Sequence, residues 1–97
     1  MGSEYDTGKI RMLAQAVARV SEQVAEVNTG TLRPIEQEIP ENFAGESANA
    51  LSKSLEELRA DIGTLSSGLS EISAALYALA RRLDAADAAA RSLINQK

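Results

Sequence analysis

Cysteine, histidine and tryptophan are absent from this chain, and phenylalanine occurs once. Each absence closes a class of chemistry. Without cysteine there is neither a disulfide nor a thiol nucleophile. Without histidine there is no imidazole base, and ordinary zinc sites lose both of their main ligands. Carboxylates, lysine, serine and tyrosine remain. Ser66, Ser67, Ser70 and Ser73 have no neighbouring base in the sequence, and a hydroxyl nucleophile needs one within reach. No glycine-rich phosphate loop is present. The sequence therefore assigns no catalytic residue, no metal ligand and no cofactor. It reads as a binding protein and not an enzyme.

Other scarcities bound the fold. Aromatic residues make up 3% of the chain, so the interior has to be built from Leu, Ile, Val and Ala. That composition favours packed helices over a sheet. Basic charge is scarce as well. The net charge is −4, which argues against a nucleic-acid partner, because phosphate binding needs clustered Lys and Arg. No apolar run approaches the length of a bilayer span, so no membrane insertion is expected. The first ten residues, MGSEYDTGKI, lack the basic region and apolar core of a cleavable secretory signal. A route out of the cell would have to dispense with one. At 97 residues the chain suits a single domain over residues 1–97.

Two apolar patterns of helical period are present. Ile10, Leu13, Val17, Val20, Val24 and Val27 are spaced by alternating steps of three and four. That spacing puts them on one face of a helix expected over about residues 4–28. Ser3 or Asp6 can cap its start. Asn28, Thr29 and Gly30 read as its end, a kinked continuation toward Leu32 being the alternative. Pro34 and Pro40 then mark residues 29–46 as linker and turn. The second pattern comprises Leu51, Leu55, Leu58, Ile62, Leu65, Leu69, Ile72, Leu76, Leu79 and Leu83, and runs on through Ala86, Ala90 and Leu93. It predicts a helix over about residues 47–95, roughly 70 Å long at 1.5 Å per residue. Gly63 and Gly68 lie off this stripe, either tolerated or placed to let another backbone approach.

The fold class expected is all-α, a two-helix antiparallel hairpin. Its first helix covers only part of its second, and two helices leave much of each stripe facing water. Sharing the stripes between two hairpins would give a four-helix bundle. The ten-residue stripe from Leu51 to Leu83 is accordingly the expected partner-binding surface, and the expected partner is a second copy or a related hairpin.

Phe43-Ala44-Gly45 stands between the prolines and the long second helix. A shorter helix, a turn bearing an aromatic-x-Gly motif midway, and a long heptad-patterned second helix together resemble the WxG-type helical hairpins. These are the Esx-like, early-secreted-antigen proteins of bacterial type VII secretion. Phe43 matches the family's Trp, Gly45 its Gly, and Ala44 the variable middle position. Glycine suits a tight interhelical turn, and Phe keeps the apolar area of Trp without its N–H donor. The resemblance implies a small secreted substrate, or a co-secreted partner and targeting factor for a larger effector. It also implies contact with the secretion ATPase. Such a chain is cytoplasmic before export and leaves without a cleavable signal. The family also tends to carry a C-terminal Tyr-x-x-x-Asp/Glu export motif. Here Tyr77 is followed at the fourth position by Arg81, and the nearest acid on that face is Asp84. Tyr77 and Asp84 are therefore the candidate export signal, with a signal supplied by the partner as the other expectation. The rival reading of the whole chain is a cytoplasmic coiled-coil structural or adaptor subunit. Glu36, Glu38, Glu41 and Glu46 match no compact calcium loop and read as a solvated, charged linker.

Overall fold

The computed structural model describes residues 6–96. Among them there is no strand, and the chain forms an elongated helical hairpin of 80 × 15 × 15 Å. Helix α1 spans Thr7–Val27. Asp6 caps it, its carboxylate accepting a hydrogen bond of 3.1 Å from the backbone N–H of Lys9. This satisfies one of the donors that every helix start leaves open. A start near residue 4 and a cap at Ser3 lie outside the described residues.

The expected linker over residues 29–46 is not a linker for most of its length. Asn28–Leu32 form a π-helical segment, and the chain continues directly into helix α2, Arg33–Asn42. Both prolines are accommodated. Pro34 lies in the first turn of α2, directly after the π-helical segment. Pro40 is exposed in the last turn, where water can take the carbonyl it leaves unpaired. Tertiary contacts do the rest. Leu32 and Ile39 are buried, and Glu36 is bound to Arg59 of the opposite helix. Asn42 and the Phe43 N–H close the final turn on the carbonyls of Glu38 and Ile39.

The reversal itself takes two extended residues, Phe43 and Ala44. Gly45 follows with φ +63° and opens helix α3, Gly45–Asn95. That backbone conformation lies in the left-handed region, costly for residues with a Cβ. Helix α3 runs back along α2 and α1 and continues well past the level of Thr7. Its exposed Leu93 and Ile94 therefore lie beyond the paired body.

The seam between the two arms is made of small and polar residues. Ala14, Ser21 and Asn28 of the first arm, seven residues apart, meet Ser73, Ser66 and Arg59 of α3. Ser73 Oγ donates to the carbonyl of Ala14 at 2.7 Å. Ser21 and Ser66 each donate to the other's carbonyl, at 2.7 and 2.9 Å. Asn28 Nδ2 donates to the Arg59 carbonyl at 3.0 Å. A serine hydroxyl reaches only one carbon from its own backbone, so these bonds require the two main chains to approach closely. Ala14 and Ala80 are fully buried, as expected where a larger side chain would hold the backbones apart.

Candidate partner interface

The large aliphatic residues flank this seam without filling it. Leu13, Val20 and Val27 each stand one residue before Ala14, Ser21 and Asn28. Leu58, Leu65, Ile72 and Leu79 each stand one residue before Arg59, Ser66, Ser73 and Ala80. One residue back is a rotation of about 100°. Two antiparallel helices that face each other are related by a twofold axis perpendicular to both. Equal rotations on the two helices therefore turn their side chains toward the same side of the hairpin. All seven residues lie on one face, and all are exposed. The contrast between neighbours shows it best: Ile72 is 52% exposed and Ser73 5%.

The stripe expected to bind a partner thus divides into two rows. Leu51, Leu58, Leu65, Ile72 and Leu79 are exposed; Leu55, Ile62, Leu69, Leu76 and Leu83 are half-buried toward the seam. Ile10, Val17 and Val24 are the corresponding half-buried row on α1. No large side chain is fully buried among the described residues. An apolar face of this extent is far more than the scattered exposed aliphatics that any surface carries, and contiguous faces of this kind mark interaction sites.

At the turn end the face deepens into an open apolar pocket of 270 Å³, lined by Ile35, Ile39, Phe43, Leu51, Ser54, Leu55 and Leu58. Phe43, 48% exposed, forms part of its wall. It extends the apolar face across the turn.

Compared with protein-family models, curated proteins and solved structures, the chain matches none. Its functional reading therefore rests on its own residues.

Tyr77 and Asp84 fall on the side of α3 away from this face. Tyr77 is half-buried. Asp84 receives a hydrogen bond of 2.7 Å from the Arg11 guanidinium. The Arg11 guanidinium first, and the Thr7 hydroxyl second, hold its carboxyl below the ordinary carboxylate range. Asp84 is thus a tie between α1 and α3, and Arg81 beside it is exposed. Tyr77, Arg81 and Asp84 follow one another along one flank of α3. The acidic cluster of the turn is also partly engaged, since Glu36 belongs to Arg59 at 2.5 Å. Next to that pair Arg59 Nε and Asn28 Oδ1 are buried without a protein partner. Among the described residues no grouping of three or more metal-ligating side chains occurs, and no helix is long and apolar enough to cross a membrane. Gly63 borders the seam, where an added Cβ would meet only Asn28 Nδ2, at 4.0 Å.

Sequence reasoning missed the seam residues Ala14, Ser21, Ser66, Ser73 and Ala80. A signal for them exists. They repeat every seven residues, each just after a stripe residue, and are uniformly small. Small residues at heptad spacing on both arms permit closer helix packing than the aliphatic stripe itself.

Proposed function

We propose that this chain is a small non-enzymatic helical protein of the type VII secretion pathway. It serves as a secreted substrate or as the co-secreted partner and targeting factor of a larger effector. It acts by pairing its apolar face with another helical hairpin. The observation that carries the pairing is the unbroken exposed row on α3 with its counterpart on α1. Fully burying such a side chain contributes about 1.5–3 kcal/mol, and at 37–55% exposure the isolated hairpin leaves part of that gain unused. A second hairpin laid on the face would complete a four-helix bundle.

The assignment to secretion is supported by the Phe43-Ala44-Gly45 turn, with its positive φ at Gly45, and by the order of the helices around it. Pairing takes place in the cytoplasm, and the folded pair is presented to the secretion ATPase. Because Arg81 stands at the acidic position and Asp84 is bound to Arg11, the export signal belongs to a different co-exported protein such as the larger effector, and not to the hairpin laid on the apolar face. That same observation favours a second reading, in which the chain is a coiled-coil structural or adaptor subunit that stays in the cytoplasm.

Secretion from a host with its native system separates the two. The chain is expressed alone and with the hairpin and effector proteins encoded beside it. Wild type is compared with Tyr77→Ala, Asp84→Ala and Leu65→Asp, each checked for helicity. The expected result is export of wild type, Tyr77→Ala and Asp84→Ala in the presence of a partner, and retention of Leu65→Asp. Loss of export in folded Tyr77→Ala or Asp84→Ala overturns the partner-signal assignment. Retention of wild type under every condition overturns the secretion reading.

A further inference from the structure

We propose that the occupant of the apolar face is a second copy of this chain, packed antiparallel about a twofold axis at Ile72. This deepens the reading of that face as a pairing surface and rests on it. Three features of α3 point to the same centre. The first is the exposed row, which continues past Leu79 through Ala86 to Leu93 at the same seven-residue spacing. Ile72 is its middle member. With Ile72 on the axis, Leu65 faces Leu79, Leu58 faces Ala86, and Leu51 faces Leu93 of the other copy. The overlap uses nearly the whole of Gly45–Asn95.

The second feature is the row that borders the exposed one. Asp61, Gly68, Ala75 and Arg82 repeat every seven residues along it. In the antiparallel pairing Gly68 meets Ala75, the smallest contact available where two backbones cross. Asp61 meets Arg82 twice, once on each side of the axis. Both are exposed in the single hairpin, and among the described residues neither has an ion-pair partner. A parallel pairing would set Asp61 against Asp61 and Arg82 against Arg82.

The third feature is the charge of the two ends. Around the turn, Glu36, Glu38, Glu41, Glu46, Glu56 and Glu57 outnumber Arg33, Lys53 and Arg59. At the other end, among the described residues, Lys9, Arg11, Arg81, Arg82 and Arg91 outnumber Asp6, Asp84 and Asp87. Antiparallel packing brings the acidic end of each copy to the basic end of the other. It also gives the overhang a seat. Leu93 and Ile94, 71% and 68% exposed, have none of the described first arm beside them in their own chain. They come to rest at the pocket walled by Phe43, Leu51 and Ile35 of the other copy.

The absence of native cysteine makes the test direct. Ile72→Cys, Leu51→Cys and Leu93→Cys are prepared singly and treated with a short bismaleimide, after circular dichroism has shown each to be helical. Ile72→Cys should cross-link to itself. Leu51→Cys should not, but should cross-link to Leu93→Cys when the two are mixed. Charge reversal supplies a second arm. Asp61→Arg and Arg82→Asp should each weaken association roughly three- to tenfold, and the double variant should recover most of that loss. Self-linking of Leu51→Cys would show a parallel pair and overturn the proposal. So would a wild-type chain that stays monomeric at tens of micromolar by native mass spectrometry, or one that pairs only with a different hairpin. A heterologous pair with intact export would leave the secretion reading standing while this inference fails. Export is measured in cells and symmetry on the purified chain, so the two failures are distinguishable.

Discussion

Replacing Ser73 with leucine sets two intuitions against each other. A count of hydrophobic residues says that Leu in a helix, facing another helix, stabilises. The seam says the opposite. Ser73 is 5% exposed, and its hydroxyl donates to the Ala14 carbonyl at 2.7 Å. Leucine loses that bond, worth about 1 kcal/mol net. It also brings two additional heavy atoms into a gap that a one-carbon side chain already spans. Overpacking of this kind costs typically about 1–3 kcal/mol. Together these predict a destabilisation of about 2–4 kcal/mol, set against a helix-propensity gain of only a few tenths. Urea unfolding followed by circular dichroism, at one fixed protein concentration because association is linked to stability, measures it. Ser67→Leu, six residues earlier on α3 and exposed, is the control and should change stability by less than about 0.5 kcal/mol. A Ser73→Leu variant as stable as wild type, or more so, would refute the close-packed seam.

A change on the open face behaves differently: Leu65→Asp should leave a helical hairpin but abolish association in sedimentation or light scattering, because Leu65 is exposed there. Gly45→Val should destabilise by about 1–2 kcal/mol, since a β-branched residue is strained at φ +63°. Gly63→Ala should stabilise by about 0.5–1 kcal/mol, the added methyl meeting only Asn28 Nδ2 at 4.0 Å; the same unfolding assay reads both. Acidification should loosen the start of α1. A carboxyl whose folded-state pKa is lowered contributes in full above its ordinary value of 3.8 and loses that contribution as pH falls through the lowered one. Amide exchange at Thr7–Arg11, taken relative to the intrinsic rate at each pH, should therefore quicken below about pH 4 in wild type. In Asp84→Asn it should be faster already at pH 6 and should lack that carboxyl-dependent step.

The sequence by itself determined helices α1 and α3, their period and the place of the reversal. Those follow from local physics. Alternating steps of three and four on Ile10–Val27 and Leu51–Leu93 exclude strands. Asp6 is a cap by its own side chain, and a Phe-Ala-Gly stretch before a long helix reads as a turn. The same stripes identified the aliphatic residues that need cover. Tertiary structure alone decided two things. Residues 29–42 became helical because Leu32 and Ile39 could be buried and Glu36 could reach Arg59; local signals at Gly30, Pro34 and Pro40 point the other way. The choice of seam is likewise non-local. Period places both Ile72 and Ser73 near the inner side of α3, and composition favours Ile72 as the buried one. Closest approach of two backbones requires the small residue to face inward. The serine hydroxyls then satisfy themselves on opposing carbonyls, and the large side chains are turned out to one face of the hairpin.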